Sequence, residues 1–236
     1  MSFPAPVIDI DRLSYTYPDG TAALREFSLR VKTDERVALV GANGAGKSTL
    51  LLHLNGLFTS SAVRIDGMEA TAVNLKEVRR KVGLVFQNPD DQLFCPTVGE
   101  DVAFGPLNMG LEADEVKRRV TEALVRVGLC GSEARSAHHL SIGQKKRAAL
   151  AAVLAMRPEV LILDEPTSNL DPRGRRELRE LLLEIGGTQL IATHDFEFAL
   201  PLCGRAVMLD GGRCVADGPV SELLRDRELL DRHGLA

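Results

Sequence analysis

The residues with the clearest chemistry lie in the stretch GANGAGKST, residues 41–49. Their spacing is G-x-x-x-x-G-K-[ST], and the stretch follows a short apolar run and precedes a helix-forming run. Glycines let backbone N–H groups wrap a phosphate, and the following helix presents its positive end to an anion. Lys47 adds a charge for the β- and γ-phosphates, and Ser48 offers a hydroxyl to Mg²⁺. A glycine-rich turn without a ligand is the alternative, which the complete spacing disfavours. The predicted phosphate-binding residues are Gly41, Ala42, Asn43, Gly44, Ala45, Gly46, Lys47, Ser48 and Thr49.

Further polar side chains follow two apolar runs that have the character of buried strands. Residues 160–163 lead into Asp164 and Glu165, and residues 189–193 lead into His194. In an open parallel sheet, ligands bind beyond the carboxyl ends of the strands, so we expect these side chains beside the phosphate loop. Asp164 is suited to hold Mg²⁺, directly or through water, and Glu165 is suited to polarise a water aimed at the γ-phosphate, which His194 would touch. Ordinary turn residues and a structural histidine are the alternatives.

Another polar group begins an apolar helix that ends near residue 156. Ser141 and Gln144 have the S-x-x-Q spacing of a capping box. Residues 145–147 then place three cations near the helix N-terminus, where the helix dipole opposes them. An anion docked at this helix end would compensate for that cost. A capped helix with a basic first turn is the alternative.

Composition describes an ordinary globular chain of 236 residues, with 44% hydrophobic and 26% charged residues. The net charge of −4 gives no overall attraction to nucleic acid, so we expect no nucleic-acid partner. The N-terminal residues lack the pattern of a signal peptide, and the longest apolar run, 148–156, is too short to cross a bilayer. The chain is therefore expected in the cytosol unless a membrane partner holds it at the surface. The four cysteines form no C-x-x-C pair and are expected to be packed thiols.

The remaining pattern indicates how these motifs are connected. Residues 7–17 and 23–31 alternate like the strands of an antiparallel ribbon. Tyr17, at the end of the first strand, either covers core or stacks on a purine. Residues 88–110 are rich in Pro, Gly and Asp yet carry many apolar side chains, so we expect an apolar loop there. Residues 221–230 predict a short C-terminal helix.

Taken together, these motifs resemble those of the ATP-binding-cassette (ABC) ATPases, over essentially the whole chain. Residues 41–49 are similar to the Walker A loop of that family and residues 160–165 to its Walker B strand. Residues 140–144 resemble the family signature, and residues 168–171 resemble its D-loop. The signature is usually LSGGQ, whereas this chain has LSIGQ, with Ile142 at the first glycine position.

The resemblance also implies roles that the spacing alone does not give. Gln87 matches the glutamine that helps to set Mg²⁺, and Tyr17 matches the aromatic residue that stacks on adenine. The signature residues would face the γ-phosphate of ATP held by a second ABC subunit, which would be another copy or a paralogue. The catalytic residues would then be Lys47, Glu165 and His194, the metal-binding residues Ser48, Gln87 and Asp164, and the additional ATP-binding residues Tyr17, Gln87, Ser141, Gly143 and Gln144.

Within that family, the stretch 85–110 is similar to the ATPases of energy-coupling-factor importers, as are LSIGQKKR and DEPTSNLDPRGRREL. The last two most resemble the importers of cobalt or nickel. This resemblance implies a peripheral subunit on the cytoplasmic face of the cell membrane, with a membrane coupling protein docked near 88–110 and a substrate-binding membrane subunit contacted only indirectly. A vitamin importer is the main alternative. A soluble ABC protein acting on nucleic acid or ribosomes and a phosphotransferase are the more distant ones.

The implied fold is α/β: a P-loop NTPase of the ABC cassette type with a RecA-like parallel-sheet core, an N-terminal antiparallel β subdomain and a helical subdomain. Residues 1–236 would form one ABC ATPase domain. The β subdomain and core would comprise 1–87 and 158–236, and the helical subdomain 88–157.

Overall fold

A computed structural model describes residues 5–235, which form two β-sheets with helices packed against them. The strands are β1 (Ile8–Thr16), β2 (Ala22–Val31), β3 (Arg36–Val40), β4 (Ser60–Ile65), β5 (Met68–Ala70), β6 (Val82–Val85), β7 (Val160–Asp164), β8 (Thr188–Ala192), β9 (Arg205–Asp210) and β10 (Arg213–Pro219). The helices are α1 (Lys47–Leu54), α2 (Leu75–Lys81), α3 (Val98–Asn108), α4 (Ala113–Arg126), α5 (Ile142–Leu154), α6 (Pro172–Ile185), α7 (Phe196–Ala199), α8 (Val220–Leu223) and α9 (Arg227–Arg232). Short 3₁₀ turns lie at Pro89–Asp91 and Ala137–His139.

The larger sheet brings distant parts of the sequence to one edge. Its strands are ordered β10-β9-β3-β8-β7-β6, and all except the edge strand β10 run parallel. The central strands β7 and β8 are buried at every position, which fits strands covered on both faces. Because parallel strands end at the same edge, the segments after β3, β6, β7 and β8 meet there. The predicted parallel core is confirmed.

The smaller sheet is antiparallel, in the order β2-β1-β4-β5, and is the predicted N-terminal β layer. Its inward residues Ile10 and Phe27 share one buried cluster with Leu39 of β3 and with Leu50 and Leu54 of α1. Burial of this apolar surface fixes α1, and with it the preceding glycine-rich loop, between the two sheets.

The segment expected to be an apolar loop contains a helix. Within 88–110, residues 98–108 form α3, which begins at Thr97, whose side chain accepts a hydrogen bond from the backbone N–H of Glu100. The sequence hides this helix because Gly99, Gly105 and Pro106 all have low helix propensity. Tertiary packing compensates for this low helix propensity, because α3 lies against α4 and α5 in a shared buried cluster. The expectation of a loop was therefore wrong for about half of this stretch.

The C-terminal region also differs from the expected single helix at 221–230. It forms two short helices, α8 and α9, because the Asp226 carboxylate accepts a hydrogen bond from the N–H of Leu229 and begins a new helix there. Among residues 5–235, no helix combines the length and apolarity needed to span a bilayer.

The four cysteines are free thiols, but they do not share one environment. Cys203 is buried and Cys95 half-buried, as expected for packed thiols. Cys130 and Cys214 are exposed, so the expectation was wrong for these two. Nothing in their neighbouring residues signalled this, because exposure depends on how the chain packs.

Candidate active site

A cavity of about 430 Å³ opens at the carboxyl edge of the larger sheet. It brings together residues from the segments after β1, β3, β6, β7 and β8, which span most of the sequence. The predicted site residues that line it are Tyr17, Asn43, Gly44, Gly46, Lys47, Ser48, Thr49, Gln87, Asp164, Glu165 and His194. Gly41, Ala42 and Ala45 belong to the same loop without lining the cavity, and the signature residues Ser141, Gly143 and Gln144 lie outside it.

The glycine-rich loop needs glycine for two different reasons. Gly46 has φ of +109°, and a Cβ on it would lie 2.5 Å from the carbonyl oxygen of Ala23 in β2, so a larger residue would clash with the backbone. Gly44 has φ of +80° in open space, which makes it a conformational rather than a steric requirement. The loop ends at Lys47, where α1 begins, and Lys47, Ser48 and Thr49 of its first turn line the cavity. The first N–H groups of a helix have no partner within the helix and are suited to bind an anion.

Lys47 is held by three groups although it is almost fully buried. Its ammonium donates to the carbonyl oxygens of Gly41 at 2.6 Å and Ala42 at 3.2 Å. It also lies 3.7 Å from Oε1 of Glu165. A buried cation with these partners is positioned to meet phosphate oxygens entering the cavity.

Asp164 and Glu165 present buried carboxylate oxygens towards the same cavity. Burial raises the pKa of Asp164, whereas a hydrogen bond from the Ser48 hydroxyl lowers it. Among residues 5–235, nothing donates a hydrogen bond to Oδ1 of Asp164 or to Oε1 of Glu165. Buried carboxylate oxygens without donors are suitable ligands for a hard cation, and the Ser48 hydroxyl and the exposed Gln87 amide add oxygen ligands. These residues fit Mg²⁺.

Glu165 is held in one orientation by His194. The ring nitrogen Nδ1 of His194 lies 2.9 Å from Oε2 of Glu165, and the backbone N–H of His194 donates to the same oxygen at 3.3 Å. The backbone of Glu165 has φ of +43°, a left-handed conformation that costs a non-glycine residue about 1–3 kcal/mol and is typical of functional sites. The sequence predicted that His194 and Glu165 would be close, but not that they would bond directly.

Tyr17 lies on the rim of the cavity and belongs to an aromatic cluster that sequence reasoning missed. Its hydroxyl is 2.9 Å from Oγ1 of Thr49, and its ring meets Tyr15 edge to face at 5.1 Å. Tyr15 stacks on Phe58 at 4.8 Å and contacts His53. His53 and Thr49 are one helical turn apart on α1, which is the only sequence signal for this cluster.

The capping box predicted at the start of α5 is present. The Ser141 hydroxyl accepts from the N–H of Gln144 at 3.3 Å, and the Gln144 side chain accepts from the N–H of Ser141 at 3.0 Å. Ser141 and Ile142 are exposed on the surface of the chain. Their participation in an ATP site of a second subunit stays a prediction.

The three cations after the capping box do not face a common anion. Lys145 pairs with Asp90 at 2.6 Å, and Arg147 lies 3.9 Å from Glu177. Lys146 turns inwards and donates to groups near the cavity, and burial lowers its pKa to about 8. Partners within the chain therefore compensate for these charges, and an anion docked at this helix end stays a prediction.

The sequence profile of a family described as "ABC transporter" matches residues 24–168, which is more than half of the chain. The chain belongs to the ABC transporter ATPase family. The ABC cassette fold predicted for it is confirmed, and so is its class as an ATPase that binds ATP and couples its hydrolysis to transport. Because this family hydrolyses ATP, the alternative that the chain is a phosphotransferase is rejected.

Relatives of this ABC ATPase match it over nearly its whole length. The energy-coupling factor transporter ATP-binding protein EcfA of Methanothermobacter thermautotrophicus is 51% identical, over 97% of this chain and 76% of its own. CbiO1 of Clostridium perfringens, described as part of the ABC transporter complex CbiONQ, is 39% identical with a TM-score of 0.85, over 98% of this chain and 95% of its own. A third relative is an ATP-binding cassette whose structure is a dimer in a post-hydrolysis state bound to ADP and Pi. It is 28% identical with a TM-score of 0.80, over 90% of this chain and 98% of its own.

Proposed function

We propose that this ABC ATPase powers a membrane importer of the energy-coupling-factor type, and that the imported substrate is cobalt or nickel ions. The observation that carries the proposal is the similarity, over nearly all of this chain, to EcfA, described as an energy-coupling factor transporter ATP-binding protein, and to CbiO1, described as part of the ABC transporter complex CbiONQ. The choice of cobalt or nickel is supported only by the resemblance of LSIGQKKR and DEPTSNLDPRGRREL to the importers of these ions. No residue of this chain needs to touch the imported ion, because the ATPase would act through a membrane partner.

An exposed aromatic patch supports the idea of such a partner. Phe94 and Phe104 meet edge to face at 5.0 Å, and both are exposed, as is Leu107 one turn further along α3. The patch is held in place by the buried Asp101, whose Oδ1 accepts from the backbone N–H groups of Phe94 and Cys95 at 2.9 Å. Exposed apolar side chains that the fold holds rigidly favour a docking surface for an apolar helix of a membrane protein.

The same surface leads back to the active site through a short segment of chain. Phe94 follows Gln87 by seven residues, and Gln87 lines the cavity. In the proposed transporter, closure of the site around ATP would therefore shift the docked helix. The chain would sit on the cytoplasmic face of the membrane as a peripheral subunit.

The chemistry that we propose begins with Lys47 and the loop N–H groups, which bind the ATP phosphates. Mg²⁺, held by Ser48, Asp164 and Gln87, would supply charge neutralisation on those phosphates. Glu165 would orient and deprotonate the attacking water, and His194 would hold the Glu165 carboxylate and contact the γ-phosphate.

Closure would require a second ABC subunit, either a second copy or a paralogue. Ser141, Gly143 and Gln144 lie outside the cavity of their own chain, so they are free to cover the ATP of the opposite subunit. Hydrolysis would then reopen the pair.

Uptake by the assembled transporter tests the proposal. The chain is expressed with the membrane subunits that copurify with it, and the cobalt, nickel and vitamin content of reconstituted vesicles is measured with and without ATP. ATP-dependent accumulation of cobalt or nickel that Glu165→Gln abolishes is expected. Accumulation of a vitamin instead would show that the transporter imports the alternative substrate. Copurification of the chain with ribosomes rather than with membrane proteins would contradict its role in an importer.

A further inference from the structure

Lys146 is the most deeply buried lysine or arginine in the described residues 5–235, slightly more so than Lys47. Its side chain is 5% exposed, and it lies in the first half of α5, two residues after the signature glutamine. Lysines are almost never buried to this degree without strong partners. Its two neighbours behave differently, since Lys145 and Arg147 reach carboxylates at the surface.

The partners of Lys146 come from three separate parts of the site. Its ammonium donates to the carbonyl oxygen of Gln87 at 3.0 Å, to the hydroxyl of Ser168 at 3.0 Å and to the carbonyl oxygen of Glu165 at 3.4 Å. These groups follow β6 and β7 or begin the turn before α6. An ammonium has three donors, so these contacts use its full capacity.

The contact with Glu165 concerns the residue whose geometry the active site most depends on. Glu165 has a left-handed backbone, which persists only where the surrounding structure holds it. Its N–H donates to Ala192, and its carbonyl oxygen accepts from the N–H of Ser168 as well as from Lys146. Lys146 is thus one of the groups that fix the peptide from which the Glu165 carboxylate projects.

The contact with Gln87 ties α5 to the segment that leads to the aromatic patch. A second link runs in parallel: the Gln92 side chain donates to the carbonyl oxygen of Ala149 on α5 and accepts from the N–H of Phe86. With the exposed Lys145–Asp90 pair, the segment 86–92 and α5 are therefore joined at three points, and of these Lys146 is the one that also contacts Glu165.

We propose that Lys146 is a positioning residue for hydrolysis, which holds the Gln87, Glu165 and Ser168 segments in register with α5 and so sets the Glu165 carboxylate. This inference rests on the proposed role of Glu165. Lys146 does not contact the phosphate loop, and it reaches the cavity-lining residues Gln87 and Glu165 only through their backbone carbonyl oxygens, so its loss should disturb turnover rather than ATP binding.

The test replaces Lys146 with Met, which keeps the length of the side chain but removes the charge and the donors. K146M should lower kcat by about tenfold or more, because small displacements of a catalytic group have effects of that size. The KM for ATP and the affinity for a fluorescent ATP analogue should stay within about twofold of the parent, since the residues that contact the phosphates and the adenine are unchanged. K146R, which restores charge and donors, should recover part of the lost kcat.

The matched control is K145M, which removes the neighbouring cation and its exposed pair with Asp90 and should leave kcat unchanged. A kcat for K146M within about twofold of the parent would overturn the inference. So would a loss of kcat that comes with an equal loss of nucleotide affinity in a variant that is folded by circular dichroism.

Ser168→Ala supplies a second, milder variant in case K146M does not fold. It removes one acceptor of Lys146 and should lower kcat in the parent but add nothing in the K146M background, because both changes break the same contact. An unchanged kcat for S168A would contradict the inference. Glu165→Gln, measured alongside, separates the two proposals: loss of turnover in E165Q but not in K146M would leave Glu165 as the base and remove Lys146 from its support.

Discussion

At the scale of single residues, Glu165 carries the largest number of constraints. One carboxylate oxygen receives two contacts from His194, the other faces Lys47 at 3.7 Å, and the backbone is left-handed. A free glutamate on a turn would rotate among several rotamers. Here the carboxylate is fixed towards the cavity, which is what activation of a single water at the γ-phosphate requires.

Tyr17 gives a prediction about binding rather than chemistry. Tyr17→Leu removes the ring that we expect to stack on adenine, and aromatic pairs contribute about 0.5–1.5 kcal/mol beyond burial. The KM for ATP should therefore rise by about twofold to thirteenfold while kcat stays the same. Steady-state phosphate release measures both.

Tyr17→Phe is the matched control, because it keeps the ring and removes only the hydroxyl contact with Thr49. Its KM should stay near that of the parent. An equal rise in KM for both variants would assign the effect to the hydroxyl contact and contradict stacking.

His53 gives a prediction about pH. It is 1% exposed, and burial lowers its pKa in the folded chain below the usual 6.5, opposed by its contact with the carbonyl oxygen of Thr49. Below about pH 6.5 the unfolded chain takes up a proton that the folded chain does not, so the free energy of unfolding should fall as pH falls. Urea unfolding across this range measures the slope.

His53→Gln should flatten that slope, since the substituted side chain does not titrate. His138→Gln is the control, because His138 is exposed on a 3₁₀ turn and should leave the slope as in the parent. Identical slopes for the parent and His53→Gln would contradict the assignment.

The sequence could predict which residues gather at the site, because each motif follows a strand and parallel strands end at one edge. It could not predict the partners of Lys146 or the ring cluster below Tyr17. The contact between Lys146 and Gln87 joins residues 59 positions apart, and both sets of contacts depend on how helices and sheets pack. From the sequence, a lysine in a basic first turn is expected at the surface, and only the packing of the fold shows that Lys146 is buried.

At the scale of elements, α3 is the main element that the sequence did not predict. Glycines and a proline within 98–108 argue against a helix on propensity, and the buried cluster with α4 and α5 overrides them. This helix presents Phe104 and Leu107 on its outer face, whereas an irregular loop would have no fixed outer face.

Phe104→Ser tests that face. It should reduce capture of the membrane subunits in a copurification experiment by removing apolar contact area, and it should leave the thermal unfolding midpoint and basal ATPase close to the parent because Phe104 is 49% exposed. Val125→Ser on α4, 54% exposed, is the matched control and should leave capture unchanged. Equal capture by both variants would place the docking surface elsewhere.

At the scale of the whole molecule, the residues predicted to surround one ATP lie at two separate places on the chain. The phosphate loop and Glu165 line the cavity, whereas Ser141 and Gly143 lie outside it at the start of α5. Two chains facing each other would bring the second set onto the first, which is the arrangement that we propose for the working pair.

Linked dimers of two copies test the shared site. Lys47→Ala in one copy and Ser141→Arg in the other put both changes into one of the two sites, so the second site stays intact and phosphate release should persist. Both changes in one copy spoil both sites, and release should fall well below that of the first dimer. Equal rates for the two dimers would contradict sites shared between chains.

The most direct test of the whole account is phosphate release by Glu165→Gln with ATP alone. The variant keeps the shape of the side chain but cannot accept a proton, so turnover should fall by about 10²-fold or more while a fluorescent ATP analogue still binds with parental affinity. Release at the parental rate would show that Glu165 is not the base and would contradict the proposed mechanism.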